Sequence, residues 1–215
     1  MNLKIDAEKV ERRLRHKLEN YFKDHYNEER LPSHGLDHHR RVWEFAKEIL
    51  KYNKEDIHNI EFLEKLLIAS YLHDIGMSED YGVKHGYLSR KLAEDFILTN
   101  NLKVSDYNDV LYSIEYHDNK EYNKGIHHNE ILKILSVADD LDAFGETGIS
   151  RYMEIYLARG IPKERLGYAV LENAEARFAN FELFAGRRSL LYEKHKKRYL
   201  ILKSYFENYN NNLQR

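Results

Sequence analysis

The chain has 215 residues, a formal net charge of −2, 42% hydrophobic residues and no cysteine. Such a length is ample for one domain with a core and a cleft, and the near-neutral balance excludes a dedicated nucleic-acid binder, which carries a strong basic excess. Without thiols there is neither a disulfide framework nor a thiolate metal site, which suits the cytoplasm and leaves His and carboxylates to hold any metal.

The first residues, MNLKIDAEKVERRLRHK, are charged and lack the apolar centre of a signal peptide. No apolar run approaches the roughly 18 residues of a membrane span, so a soluble protein is expected. Apolar spacing near 3.6 residues recurs almost everywhere, interrupted only by Pro32 and Pro162. In IDAEKVERRLRHKLENYFKDHY, Val10, Leu14, Leu18, Tyr21 and Phe22 share a face and Asp6 is placed to cap. After Pro32-Ser33, DHHRRVWEFAKEILKY predicts a second helix, with Asp37 as its cap and Val42, Phe45, Ala46 and Ile49 inward. The third, NIEFLEKLLIASYLHD, is the most apolar and is expected at the centre; it ends in His73-Asp74, where Gly76 breaks it.

HGYLSRKLAEDFILT and SDYNDVLYSIEYHD follow, then a polar loop through Lys124-Gly125 and a sixth helix, NEILKILSVADDLDAFG. ISRYMEIYLARG precedes Pro162, which suits the first position of PKERLGYAVLENAEARFANFELF. SLLYEKHKKRYLILKSYFENY closes the fold before an Asn-rich tail expected to fray. No strand run or repeat is readable. The expected fold class is all-α: one helical domain over 1–215 with about nine helices. It divides into a core over about 1–145 and a C-terminal helical lobe over about 146–215, with the bend at Gly145–Gly148. The tyrosines read as core rings with hydroxyls at the rim, and the aromatic-rich C-terminal helices offer a surface for a homodimer.

Three of these helices carry polar groups out of apolar surroundings: His38 opens the second, His73 and Asp74 end the third, and the sixth holds the aspartates of SVADDLDAFG, among them Asp139. A buried His-Asp pair is costly unless something pairs with it, and either a metal ion or a backbone hydrogen bond would serve. Ligands converging from facing helices are how metal sites are built in helical bundles. Two imidazoles and two carboxylates without sulfur favour Mn²⁺, Fe²⁺ or Mg²⁺ and leave positions for water and substrate.

Taken together, SHGLDHHRRV, LHDIG and ADDLDAFG resemble the signature of the HD-domain metal-dependent phosphohydrolases, which implies an HD-type bundle with His38, His73, Asp74 and Asp139 as ligands. His38 is preferred to His34 or His39 because His38-x-x-Arg41-Val42 matches the family's HxxRV element; Asp139 is preferred to Asp140 or Asp142 because it begins the D-x-L-D segment. The resemblance implies a divalent ion, Mn²⁺, Fe²⁺, Mg²⁺, Co²⁺ or Ni²⁺. IEYHD, ADDLDAFGETGISR and the C-terminal FANFELFAGRRSLLYEKHKKRYLILKSYFE look like parts of a bacterial subgroup of small single-domain members. Some of that subgroup hydrolyse nucleoside triphosphates to monophosphate and pyrophosphate. The chain departs from the subgroup in two places, with Asp140 where a basic residue is usual and Val137 where an extra Asp is usual. Members acting on guanosine tetraphosphate or deoxynucleoside monophosphates carry a Glu three residues after the doublet's Asp; Met77 stands there, with Glu79 and Asp80 out of register, which disfavours both activities.

His85 and His117 lie where two-metal relatives place additional histidines, which implies a second ion. Either could instead serve as general acid, or be a satisfied surface histidine. Asp74, His117 and His85 are thus the catalytic candidates. Arg41, Arg151 and Arg187 are the candidates for holding phosphate: Arg41 lies one turn after His38, with a salt bridge to an acid such as Asp142 as its alternative role, and the other two follow glycine-containing breaks. Lys84, Arg90, Arg188, Lys194 and Lys197 are further basic groups, though EKHKKR reads as a solvated face. His34 reads as a loop residue orienting the approach to the second helix, with lining the cleft as its alternative role, and His127 and His128 as solvated.

The expected function is a cytoplasmic metal-dependent phosphohydrolase acting on a small phosphorylated molecule, a nucleotide, and on neither nucleic acid nor membrane. A nucleoside triphosphate pyrophosphohydrolase comes first, ahead of a two-metal phosphodiesterase cutting a cyclic or dinucleoside substrate. A metal-stabilised regulatory or assembly module and a di-iron oxygenase are the alternatives of other classes.

Overall fold

The computed structural model describes residues 3–52, 59–119, 129–187 and 189–213. Lys124-Gly125, His127, His128 and Arg188 lie outside the described residues. Among the described residues nine α-helices run in the order α1 (Leu3–His25), α2 (Leu36–Tyr52), α3 (Ile60–Leu72), α4 (His85–Thr99), α5 (Asn108–Tyr116), α6 (Glu130–Asp142), α7 (Gly145–Ala158), α8 (Lys163–Ala185) and α9 (Leu190–Leu213). Short 3-10 turns at Pro32–His34, Ile75–Ser78 and Val104–Tyr107 join some of them, and the fold class is all-α. No described helix is long and apolar enough to cross a membrane.

Helix α3 is the hub because, beyond Glu61, Glu64 and Lys65 near its start, it is apolar on nearly every side. Leu63, Leu66, Leu67, Ile68, Ala69, Tyr71 and Leu72 are fully buried, and α1, α2, α4, α5 and α6 pack around them. Burying each such leucine stabilises by roughly 1.5–3 kcal/mol. Asn59 starts the helix by accepting a hydrogen bond from the Phe62 N–H at 2.8 Å. Helix α6 is begun in the same way by Asn129, whose side chain accepts from the Ile131 and Leu132 N–H groups. Helix α8 then packs against α6, and α7 against α9 and the Pro32–His34 turn.

Several boundaries differ from the sequence pattern. Helix α1 begins at Leu3, so Asp6 lies inside its first turn and pairs with Lys9 at 3.2 Å. Likewise α2 begins at Leu36, and Asp37 pairs with Arg40 instead of capping. Pro162 precedes the first turn of α8 as its N-cap. The Asn-rich tail stays helical through Leu213 because Asn210 is buried against Gly167 of α8.

Gly76 has a different role from the one its position suggests. Helix α3 already ends at Leu72, capped by His73. A Cβ at Gly76 would lie 2.8 Å from the His85 carbonyl, the Ser89 N and the Leu88 Cβ. The missing side chain therefore lets α4 close on the turn after α3, which brings His85 beside Asp74. Gly145 starts α7 at φ +75°, a backbone conformation that glycine adopts without steric cost.

Candidate metal centre

Five helix ends meet at the centre. The start of α2 supplies His38, the end of α3 supplies His73 and Asp74, the last turn of α6 supplies Asp139, and the start of α4 and end of α5 supply His85 and His117. One ligand atom from each of His38, His73, Asp74 and Asp139 falls within 4.8 Å of the others, and Asp74, His85 and His117 form a second such group. All six residues are buried.

The histidines are held so that one nitrogen is committed and the other is offered. His38 Nδ1 bonds Asp142 Oδ2 at 2.8 Å, and His73 Nδ1 donates to the Ser70 carbonyl at 3.1 Å. His117 Nδ1 donates to the Ile114 carbonyl at 2.8 Å, and His85 Nδ1 to the Gly82 carbonyl. A carbonyl can only accept, so each of these rings in its neutral form keeps a lone pair on Nε2. The Nε2 atoms of His38 and His73 stand 3.2 Å apart, both 3.6 Å from Asp74 Oδ2 and 3.7–3.9 Å from Asp139 Oδ1. Across the same carboxylate, Asp74 Oδ1 lies 3.1 Å from His117 Nε2 and 3.6 Å from His85 Nε2. Asp74 thus faces one pair of histidines with each oxygen.

The charges reinforce this arrangement. Burial opposes the Asp74 charge, but His73 and His117 hold its carboxyl well below the usual range. For Asp139 burial is likewise outweighed, chiefly by Arg177 and Arg151. Burial holds the His73 ring down at about 3, so its lone pair is available at neutral pH. His117 is the opposite case: burial works against a charged ring, yet Asp74 lifts it to about 9. In the metal-free protein His117 therefore carries a proton at neutral pH.

These residues fit a divalent cation. Asp139 Oδ1 is buried without a hydrogen bond, which is costly for a carboxylate unless a cation pairs with it. The donor set is imidazole and carboxylate only, hard to borderline, which suits first-row divalent ions and Mg²⁺.

Beside the cluster lies a cavity of about 80 Å³, room for several waters or one tetrahedral oxyanion. His34, Met77, Arg151, Tyr156, Arg159 and Arg177 are among its lining residues. Arg151 is buried here, donating from Nη1 to Asp142 at 3.0 Å with Nη2 3.5 Å from Asp139, while its Nε carries no hydrogen bond.

Two other expected phosphate contacts are placed elsewhere. Arg41 donates from Nε and Nη2 to Asp142 at 2.7 and 3.0 Å, so it braces the carboxylate behind His38 and does not line the cavity. Arg187 is exposed and paired with Glu182 on the far stretch of α8, because the turn at Gly186 carries it away from the cluster. Arg90 pairs with Glu115 and Lys194 with Glu48; Lys84 and Lys197 are exposed, and none of the four lines the cavity.

His34 proves to be more than a guide for the chain. It is buried, lines the cavity, and its Nδ1 sits 3.0 Å from the Ser33 hydroxyl. Burial, with Arg151 nearby, keeps its ring well below the ordinary value and hence neutral. His39 faces away, donating to the Ser70 carbonyl at 3.3 Å and packing on Phe22. The three aspartates of α6 take separate roles: Asp139 faces the cluster, Asp142 holds His38, Arg41 and Arg151, and Asp140 turns to α8. There Arg177 and Asn180 donate to Asp140 at 2.8 and 2.7 Å. Arg177 lies outside the sequence motifs, although Asn173, Arg177 and Asn180 form a polar stripe at helical spacing in α8 that marks it.

A family model described as HD domain matches residues 35–143, about half of the chain, and spans all six of these residues. No curated protein matches the chain. A crystal structure of a Lactobacillus plantarum protein is similar at 16% identity and a TM-score of 0.66, covering 92% of this chain and 95% of that one. A second crystal structure, of a predicted HD superfamily hydrolase from an uncultured Thermotogales bacterium, is similar at 28% identity and a TM-score of 0.51, covering 87% of this chain and 97% of that one.

Proposed function

The chain belongs to the HD domain family of metal-dependent hydrolases, and from that premise we propose that its substrate is a nucleotide, cut at a phosphoanhydride or phosphoester bond. Hydrolysis of a nucleoside triphosphate to monophosphate and pyrophosphate is the first choice. The observation that carries this reading is the meeting of the buried His/Asp cluster with a cavity lined by Arg151 and Arg159. Cationic walls beside a cation site suit an oxyanion substrate and its transition state.

His38, His73, Asp74 and Asp139 would hold the ion. Bound there, a divalent cation lowers the pKa of a water to make a nucleophile and polarises a phosphoryl oxygen. Arg151 lines the cavity, and its charge offsets the negative charge that builds on phosphorus. Asp142 keeps the His38 ring oriented. With one ion, His117 holds a proton beside Asp74 that it can deliver to the leaving oxygen. Met77, lining the same cavity, provides no carboxylate where other activities of the family use Glu.

A second reading draws on the second ligand group. Asp74, His85 and His117 could hold a second ion, Asp74 lying between the two sites, which would suit a phosphodiesterase acting on a cyclic or dinucleoside substrate. Elemental analysis of the purified protein, with phosphate and pyrophosphate release measured on a nucleotide panel with added Mn²⁺, separates these. Pyrophosphate from triphosphates with one ion supports the first reading, and cleavage of diesters with two ions the second. Bound metal without turnover on any substrate overturns both in favour of a regulatory module.

A further inference from the structure

Arg177 reaches from α8 to the expected ligand Asp139, and nearly all of its donors are engaged. Its Nε donates to Asn173 Oδ1 at 3.1 Å, Nη1 to Asp139 Oδ2 and Asp140 Oδ1 at 2.8 Å each, and Nη2 faces Asp118 Oδ1 at 3.5 Å. The Asp139 carboxylate is thereby turned: Oδ2 is held by α8, while Oδ1, without a hydrogen bond, faces the Nε2 atoms of His38 and His73.

We propose that Arg177 is a positioning residue that aims Asp139 Oδ1 at the metal site, with Asp140 as its counter-charge. The proposal rests on the reading of the cluster as a metal centre. Three carboxylates surround the guanidinium, so an anionic substrate approaching it would meet negative charge; its task is to orient a ligand. Only the planar fork of an arginine can hold two carboxylates and Asn173 at once, whereas a lysine is a point charge on a flexible stem.

The same geometry accounts for Asp140, which stands where the resembling subgroup carries a basic residue. A cation at that position would abut Arg177. In this chain the cation comes from α8, and Asp140, steadied by Asn180 at 2.7 Å, keeps it in place.

The test measures Mn²⁺ affinity and the visible absorption of the Co²⁺-saturated protein, neither of which needs a substrate. Arg177→Lys keeps the charge and loses the fork. Loss of an outer partner of this kind weakens metal binding roughly 10-fold or more, and a reoriented carboxylate changes the Co²⁺ spectrum. Asn173→Ala removes the Nε brace, together with the acceptor of the Tyr152 hydroxyl, and leaves both carboxylate contacts of Arg177 in place; it gives the same changes in smaller size and stands in where Arg177→Lys does not fold. Asp139→Asn is the reference for the metal centre itself. If the wild type binds Mn²⁺ and Asp139→Asn does not, while Arg177→Lys (or Asn173→Ala in its place) keeps the wild-type affinity and spectrum, the positioning role is overturned and the metal centre stands. If Asp139→Asn binds as well as the wild type, Asp139 is no ligand and the proposal falls with it.

Discussion

The two sides of Asp74 show two ways of holding a ligand. Toward Oδ2, His73 leans on the nearby Ser70 carbonyl, but the other outer contacts are charged and join different helices: His38 leans on Asp142, which is held by Arg41 and Arg151, and Asp139 leans on Arg177. Toward Oδ1 they are local and uncharged, since His85 and His117 each donate to the carbonyl three residues earlier. The first side needs α2, α6, α7 and α8 packed correctly, whereas the second needs only two helix ends. A substitution far from the centre can therefore damage the first side and leave the second untouched.

Replacing the residue common to both sides has the largest effect. In Asp74→Ala bound metal falls to background by elemental analysis and turnover is abolished; one ion retained would show that the sides are independent. His117→Ala acts on the second side alone, lowering turnover about 10²-fold or more, the scale of a lost general acid. Its metal content decides the role of the ring, with one ion fewer for a ligand and no change for an acid.

Asp142→Asn tests the charged bracing. Mn²⁺ affinity falls by about 10–100-fold, as outer-partner losses do. Leaving Arg151 buried without its partner lowers stability by about 3–5 kcal/mol, measured by urea unfolding. The same residue carries a pH signature. Burial would raise the Asp142 pKa, but Arg151 and the His38 hydrogen bond hold it below its ordinary value. Its contribution is thus fully present above about pH 3.9, the unfolded value, and is lost as pH falls through the folded one. Asp142→Asn flattens that acid limb in the metal-free protein.

Smaller effects follow at the edge. Arg41 is one of several partners of Asp142 and its side chain is 36% exposed, so Arg41→Met costs up to about 1 kcal/mol and a few-fold in metal affinity. Arg187→Ala, at an exposed pair with Glu182, leaves stability and turnover unchanged within about twofold. A larger loss in either variant would place that arginine nearer the chemistry than its contacts do.

The two sides also differ in how far the amino-acid sequence reveals them. His73 and Asp74 are adjacent at the end of the most apolar segment, and His38 sits in a readable element, so both stand out. His85 and His117 are visible as histidines in the right interval, while their carbonyl partners follow from helix-end geometry. The bracing is different: Arg41 and Asp142 are 101 residues apart, and Arg177 and Asp139 are 38 apart. Periodicity carries no trace of such pairings. The burial of His34 is hidden from the sequence for a similar reason, since it depends on α7 packing against the Pro32–His34 turn.

By itself the sequence determined the helices, the inward face of each, and the residue types available to a cation. These follow from apolar spacing and composition, which act within one element. Tertiary structure alone decided which oxygen of Asp74 faces which histidines, and that Arg151 and Arg177 line the cavity while Arg41 and Arg187 do not. A guanidinium reaches whichever carboxylate helix packing sets within about 3 Å of it, and that distance is fixed by contacts between elements far apart along the chain.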